Sequence, residues 1–311
     1  MIRSILVPLD GSTFAEHALP LAASLARRAG AELHLAHVHQ AGQAAALEGV
    51  RLLDAVDLHL RQDEQAYLAD ASRRLTDKHP VRVKTALLDG DAVPALKGHA
   101  EQVQADLVVM STHGRGAIGR FWLGSVADGL LRELPGPVLL VRPWDEGKTD
   151  LGREPALRNV LVPLDGSDLA ERILPAALAL AGLFEGALTL LRVVPPEVRT
   201  SFVHEGSVSG LIQPDLDQLQ ALERQRQQEA KAYLDRVAEQ VALQGGRVRT
   251  RVALDEEPAR CILLEASASN ADLIALESRG RRGLSRLLLG SVADKVVHGV
   301  GVPVLLHRQP R

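Results

Sequence analysis

The chain is short of several residue types, and each shortage excludes a class of structure. Its 311 residues include one cysteine, Cys261, so no intramolecular disulfide can form, as is usual for proteins of a reducing cytosol. Aromatic residues make up only 3% of the chain, so the core must be aliphatic, which suits helices packed on a parallel sheet. No apolar run approaches the roughly 20 residues that cross a bilayer as a helix.

Neither sign of charge is in excess. The formal net charge is −3, which gives no electrostatic basis for binding nucleic acid or an anionic membrane. The first residues, MIRSILVPLDGS, lack the basic region, long apolar stretch and cleavage site of a signal peptide, and are typical of a first strand. We therefore expect a cytoplasmic protein that contacts neither nucleic acid nor membrane.

An internal repeat dominates the sequence. The segment SILVPLDGSTFAEHALPLAASLA, from Ser4, recurs as NVLVPLDGSDLAERILPAALALA from Asn159. The segment STHGRGAIGRFWLGSVAD, from Ser111, recurs as ESRGRRGLSRLLLGSVAD from Glu277. Equivalent residues are 155 positions apart in the first pair and 166 in the second, so the second copy is longer by about 11 residues.

The repeat predicts two domains. We expect the first over residues 1–143 and the second over 158–311, with the polar, unpatterned segment 144–157 as a linker. The additional residues of the second copy are placed in the segment Pro195–Asp215.

Within each copy, short apolar runs alternate with amphipathic segments. In the first copy the runs predict strands at Ile5–Leu9, Glu32–Val38, Val81–Leu88, Leu107–Ser111 and Val138–Val141. Helices are predicted between them at Phe14–Ala29, which Gly30 ends, and at Leu47–Lys78, Pro94–Gln104 and Ser125–Leu134. This alternation predicts an α/β fold of two tandem doubly wound domains, each with a five-stranded parallel sheet. Such sheets bind ligands beyond the carboxyl ends of their strands.

A glycine-rich loop follows the fourth strand of each copy. In the first copy Gly114 lies just past the strand, and Gly124 and Ser125 open the next helix. Glycine lets backbone N–H groups approach an anion, and a helix N-terminus offers unpaired N–H donors. Arg115 and Arg120 add positive charge, and the second copy retains the equivalents Gly280, Arg281, Arg286, Gly290 and Ser291. The loop suits a phosphate group, although glycines at a strand-to-helix turn and a Gly-Ser cap can also serve the fold alone.

Two better-known phosphate motifs are only imitated here. Gly114, Gly116 and Gly119 spell the dinucleotide fingerprint, but they follow the fourth strand, and Ser285 replaces the last glycine in the second copy. A Walker loop would need lysine where Arg120 stands. We predict neither a dinucleotide enzyme nor a P-loop NTPase.

Other chemistry-bearing residues carry weaker signals. His37 and His39 share one strand face, which makes a metal site geometrically possible, but no cysteine supports it and the carboxylates are scattered, so we predict none. Cys261 lies in an apolar helical run and is interpreted as a buried structural thiol. The arginine-rich stretch 279–286 could bind nucleic acid, but its position in the phosphate-type loop favours a nucleotide.

Taken together, these motifs resemble those of the universal stress protein family, twice and over nearly the whole chain. The strand ends LVPLDGS at Leu6–Ser12 and at Leu161–Ser167 match the family's first motif. The spacing Gly114-x9-Gly124-Ser125 and its second-copy equivalent match the family pattern G-x2-G-x9-G-[ST]. Each copy departs from that pattern at the first glycine, where Ser111 and Glu277 stand.

The resemblance implies a tandem universal stress protein that binds ATP or ADP, with or without Mg, as a stress-response or regulatory module. By this resemblance the first site comprises Pro8, Leu9, Asp10, Val38, Met110, Ser111, His113, Gly114, Arg115, Gly124, Ser125 and Val126. The second site comprises Pro163, Asp165, Val193, Gly280, Arg281, Gly290, Ser291 and Val292. Asp10 contacts the ligand, caps the next helix, or does both. The first site is favoured, because the Glu277 carboxylate would repel phosphates in the second.

Two alternatives stay open. Ser111 and Glu277 are compatible with an interaction scaffold of the same fold that binds no nucleotide. A slow ATPase or nucleotidyl-transfer enzyme is the weaker alternative, because no general base or metal pair is evident and no phosphate loop follows the first strand. The resemblance also implies that the closing strands Pro137–Arg142 and Pro303–Arg308 pair with each other, and that two chains can pair further as a homodimer.

Overall fold

The computed structural model describes residues 2–40, 50–112, 123–143, 149–196, 213–277 and 290–308. Contacts within the chain divide these residues into two compact units. The first contains the described residues up to Ala156 and those from Gly301 onward. The second contains residues from Leu157 to Glu277 and from 290 to Val300. Among the described helices, none combines the length and the apolar character that a bilayer crossing requires.

In the first unit, strands and helices alternate as the sequence predicts. The strands are β1 (Ser4–Leu9), β2 (Glu32–His39), β3 (Arg82–Asp89), β4 (Leu107–Ser111) and β5 (Val138–Val141). The helices are α1 (Thr13–Glu16), α2 (Leu19–Ala29), α3 (Val50–Lys78), α4 (Ala92–Gln102) and α5 (Ser125–Glu133).

The second copy repeats this order. Its strands are β6 (Asn159–Pro163), β7 (Ala187–Val194), β8 (Arg247–Leu254), β9 (Leu273–Glu277) and β10 (Val304–His307). Its helices are α6 (Asp168–Glu171), α7 (Leu174–Gly182), α8 (Gln213–Leu243), α9 (Pro258–Ala268) and α10 (Ser291–Gly299).

The sheet order confirms the α/β fold with parallel sheets. In the first unit the order is β3-β2-β1-β4-β5, all parallel. The last strand of the chain, β10, belongs to this unit and lies antiparallel to β5, with Val304 opposite Leu140. These two strands are the closing strands that the sequence analysis expected to pair. In the second unit the order is β9-β6-β7-β8, again parallel.

Aliphatic side chains form the cores, as the shortage of aromatic residues requires. All six residues of β1 are buried, and so are all five of β4. The largest side chains with almost no exposed surface are isoleucine and leucine, including Ile5, Leu19, Leu33, Leu75 and Leu139. Strands buried on both faces are the expected result of helices covering a parallel sheet on both sides.

The helix predicted over Phe14–Ala29 is divided in the structure. Helix α1 ends at Glu16, and α2 begins at Leu19 with Pro20 in its first turn. Proline has no N–H to donate inside a helix but fits the first turn, where that N–H has no partner, so Pro20 starts a new helix. The predicted end is confirmed, because Gly30 adopts φ 67°, a left-handed conformation that favours glycine.

The described part of the predicted linker packs on the first unit, which its polar composition did not indicate. Leu151 is buried, and its carbonyl accepts a 2.6 Å hydrogen bond from Nε2 of the buried His79. Glu154 forms a 2.8 Å ion pair with Arg27 of α2. The segment 149–156 is therefore anchored to the helices of the first unit.

Candidate functional site

The candidate site of the first copy lies where the strand order reverses, at the carboxyl ends of β1 and β4. The two strands are adjacent and parallel, with Ile5 opposite Leu107. Pro8 and Leu9 end β1, and Met110 and Ser111 end β4, and all four residues are buried. In an open α/β sheet a reversal of this kind leaves a crevice between neighbouring strand ends, where ligands bind.

Asp10 leaves β1 and organises the turn that follows. Its Oδ1 accepts hydrogen bonds from the Ser12 N–H at 2.9 Å and from the Ser12 Oγ at 2.6 Å. The Ser12 Oγ in turn accepts from the Ala15 N–H at 3.2 Å, so Ser12 is the N-cap of α1. Asp10 therefore supports the cap of α1 through Ser12. Asp165, Ser167 and Ala170 repeat this arrangement in the second copy.

Helix α5 begins at the same end of the sheet as these strand ends. Its N-cap, Gly124, donates its N–H to the carbonyl of Thr112 at 2.9 Å and makes no side-chain cap. The first helical N–H groups, of Ser125 and Val126, belong to the set that has no partner within a helix. They are the donors that this helix can offer to an anion. Gly290, Ser291 and Val292 begin α10 in the same way.

The backbone conformation at position 124 does not require glycine. Its φ is −58°, which any residue can adopt. Among the residues that the structure describes, the nearest atom to a Cβ built there is the carbonyl oxygen of Thr112 at 3.4 Å. Backbone strain does not explain why glycine recurs at this point in both copies, since φ is −58° at Gly124 and −55° at Gly290.

The carboxyl end of β2 carries Val38 between two buried histidines. The His37 Nδ1 donates to the carbonyl of Leu9 at 2.8 Å, while its Nε2 lies 3.3 Å from a Glu64 carboxylate oxygen. Both ring nitrogens of His39 face carboxylates, Nδ1 at 2.7 Å from Glu64 and Nε2 at 2.7 Å from Asp57. Burial lowers the pKa of His39, but the hydrogen bonds to Asp57 and Glu64 outweigh it, and the net pKa is raised.

The two copies differ at this strand end. Arg192 of β7 takes the place of His37 and donates to the carbonyl of Leu164 at 3.3 Å. Burial lowers the pKa of Arg192. Val193 follows Arg192 in the second copy. Val194 is the equivalent of His39, and Ala230 is the equivalent of Glu64. The histidine–carboxylate network therefore belongs to the first copy alone.

Several predicted site residues belong to the two glycine-rich loops. His113, Gly114, Arg115, Gly280 and Arg281 lie outside the described residues, as do Arg120 and Arg286. Of the strand ends before these loops, Ser111 is buried at the end of β4 and Glu277 is partly buried at the end of β9. Pro163, which ends β6, is partly buried.

Sequence reasoning missed the carboxylates of α3. Asp57 and Glu64 are seven positions apart and so share one helix face, which is the signal that could have paired them with the histidines of β2. Within the described ranges no group of three or more histidine, cysteine, aspartate or glutamate side chains has a geometry that could hold a metal ion.

The sequence profile of the universal stress protein family matches residues 1–142 and again residues 156–308. The chain belongs to the universal stress protein family. One universal stress protein of Mycobacterium tuberculosis is 35% identical over 234 residues, which cover 73% of this chain and 69% of the relative. A second from that organism is 28% identical over 310 residues, which cover 98% of this chain and 96% of the relative.

A solved structure agrees with the family assignment at the level of fold. The crystal structure of a universal stress protein from Archaeoglobus fulgidus has a TM-score of 0.65 and is 19% identical, covering 99% of this chain and 96% of its own. The present chain is therefore a tandem universal stress protein, and each of its halves has the family fold.

Proposed function

We propose that the first copy binds an adenine nucleotide, ATP or ADP, and that the protein acts as a regulatory module in a stress response. Gly124 carries the proposal. Its φ of −58° suits any residue, and no described atom comes closer than 3.4 Å to a Cβ at that position, yet both copies have glycine immediately before Ser125 or Ser291. A phosphate group held on the N-terminus of α5 would need that space, because a Cβ obstructs the close approach of an anion to backbone N–H groups.

The neighbouring strand ends suit the rest of the nucleotide. Pro8, Leu9 and Met110 present buried apolar surface at the reversal point of the sheet. Val38, near the end of β2, offers backbone groups to a base. A crevice at a strand-order reversal, with apolar walls and a few polar groups, is typical of small-molecule sites. The hydrogen bonds from Ser12 hold the Asp10 carboxylate in place, and this carboxylate would border the ribose.

The second copy is proposed as the weaker site. Its helix start at Gly290 is equivalent, but β9 ends in Glu277 where β4 ends in Ser111. A carboxylate at that strand end opposes the negative charge of phosphates, and the opposition grows when water is excluded. For the second copy the alternative of an interaction scaffold without nucleotide is therefore supported by Glu277.

The direct test is to identify what the purified protein carries. The full chain is purified gently, denatured, and the released small molecules are separated by anion-exchange chromatography. We expect ATP or ADP in the released fraction, at up to one equivalent per chain. A released fraction without nucleotide, from protein that also fails to bind added ATP·Mg or ADP, would contradict the proposal and favour the scaffold.

A time course on the same material separates binding from turnover. Protein loaded with ATP·Mg is sampled over hours, and the ratio of ADP to ATP is measured. A regulatory module predicts a ratio that changes slowly. Rapid multiple turnover would instead support the enzymatic alternative.

A further inference from the structure

His39 at the carboxyl end of β2 contacts two carboxylates of helix α3, Asp57 and Glu64. This group of three side chains is here called the β2–α3 latch. The His39 ring is buried, and each of its nitrogens is 2.7 Å from a carboxylate oxygen. An ionised carboxylate only accepts hydrogen bonds, so both ring nitrogens have to carry hydrogen for both contacts to be attractive. The latch as built therefore requires the imidazolium form of His39.

We propose that the β2–α3 latch is a proton-operated switch: it is closed while His39 is protonated and opens when His39 loses its proton to solvent. On deprotonation one ring N–H remains, and the other nitrogen presents its lone pair to a carboxylate at hydrogen-bond distance. An attractive contact then becomes a repulsive one, in a buried position where electrostatic interactions are strong.

The other charged groups around the latch keep the carboxylates in place. Arg61 of α3 pairs with Asp57 at 2.8 Å and with Asp89 of β3 at 2.6 Å. Glu64 also lies 3.3 Å from His37 Nε2. These are the ionisable groups that face His39 from the described parts of β2, β3 and α3. Because Arg61 stays charged at all accessible pH values, it keeps Asp57 ionised.

The direction of the switch follows from the pKa of His39, which is raised relative to a free histidine. A group with a raised pKa contributes its full stabilisation below its unfolded pKa of about 6.5. That contribution is lost as the pH rises through the raised value. The latch is thus closed in acidic solution and opens as the pH rises past the raised pKa of His39.

The second copy supplies a natural control. Val194 and Ala230 replace His39 and Glu64 there, on strand β7 and helix α8 of the same fold. A universal stress protein domain therefore folds without the latch. This argues that the first copy carries the network for a purpose other than forming the fold.

The test compares equivalent helices within one sample. Hydrogen–deuterium exchange with mass spectrometry is followed in the full chain from pH 6 to pH 9, for peptides covering residues 55–64 of α3 and 221–230 of α8. Because both peptides experience the same solvent, their ratio removes most of the intrinsic pH dependence of exchange. Opening of α3 relative to α8 is expected to rise by up to about tenfold for each pH unit between 6.5 and the raised pKa of His39, and to level off above it.

Two variants test whether the pH dependence belongs to the latch. The double variant His39→Val with Glu64→Ala carries the residues of the second copy, so it should fold and show a pH-independent ratio. His59→Gln, at a histidine whose side chain is 75% exposed on α3, should behave as wild type. A pH-independent ratio in the wild type, or an unchanged pH dependence in the double variant, would overturn the proposal. Neither outcome depends on whether nucleotide binds.

Discussion

Single residues of this chain often act through a neighbour. Asp10 is one case, since its carboxylate positions the Ser12 hydroxyl, and Ser12 caps α1. Sequence alone left open whether Asp10 caps the helix or meets the ligand, because aspartate before Gly-Ser fits both roles. The structure shows that Asp10 and Ser12 act as a pair, and that Asp165 and Ser167 do the same.

Cys261 gives a prediction at the residue scale. The thiol is buried on α9, and burial raises its pKa, so little thiolate is present near pH 8. Because the thiolate is the reactive form, a disulfide reagent such as DTNB should modify the native protein at least about tenfold more slowly than protein unfolded in urea. Cys261 is the only cysteine, so the absorbance change reports this residue alone. Equal rates in the two states would show that the thiol is accessible.

The buried state of Cys261 was predictable because its apolar neighbours surround it in sequence. The partners of His37 and His39 were not. They lie on α3, well away in the chain, and only the packing of α3 against β2 brings the side chains together. A strand face with two histidines indicates that something polar must lie opposite, but not which side chains meet it.

At the scale of helices and strands, an ion pair links α1 to α3. Arg74 places both terminal nitrogens on the buried Glu16, at 2.7 and 3.0 Å, and its Nε on Asp70 at 2.7 Å. This bidentate geometry is the strong form of a charged hydrogen bond. This ion pair holds the short helix α1 against the long helix α3.

Removing the arginine should cost the first unit about 3 kcal/mol, because it leaves a buried carboxylate without its partner. The change is Arg74→Ala, measured as the free energy of unfolding in urea at pH 7. Its matched control is Gln240→Ala, at the equivalent and exposed position of α8, where little change is expected. A cost below about 1 kcal/mol, the range of surface ion pairs, would mean that Glu16 is solvated when Arg74 is absent.

Most helices and strands could be predicted, because the periodicity of apolar residues and the positions of glycine and proline indicate the same boundaries. The predicted strands Leu107–Ser111 and Val138–Val141 coincide with β4 and β5. The prediction failed at Phe14–Ala29, where an apolar period runs through Pro20 but the proline, which has no N–H to donate, begins a second helix. It also missed the packing of 149–156, because a few apolar residues such as Leu151 anchor a segment that is otherwise polar.

At the scale of the whole molecule, duplication conserves the fold but not the chemistry of each copy. Both copies retain the Asp-Gly-Ser turn and the Gly-Ser helix start. They differ at Ser111 and Glu277, and in the β2–α3 latch, which the second copy lacks. The repeat predicted the shared scaffold directly. The proposed difference in nucleotide binding between the two copies rests on a few substitutions that change the charge at the strand ends, such as Glu277 in place of Ser111.

The difference between the two copies predicts that nucleotide binds at the N-terminus of α5 and not at that of α10. Aspartate is a good N-cap and complements the positive end of a helix, so Gly124→Asp and Gly290→Asp should leave the unfolding temperature unchanged or slightly raised. The same carboxylate would repel a bound phosphate. Stability and binding should therefore respond in different directions, which separates loss of a site from loss of the fold.

The most direct measurement is a calorimetric titration of ATP·Mg into the wild type and these two variants. We predict about one nucleotide per chain for the wild type, loss of binding in Gly124→Asp, and retention in Gly290→Asp. Binding that survives Gly124→Asp unchanged, or the absence of any binding to the wild type, would contradict the proposed nucleotide site. A stoichiometry of two per chain would contradict the unequal pair.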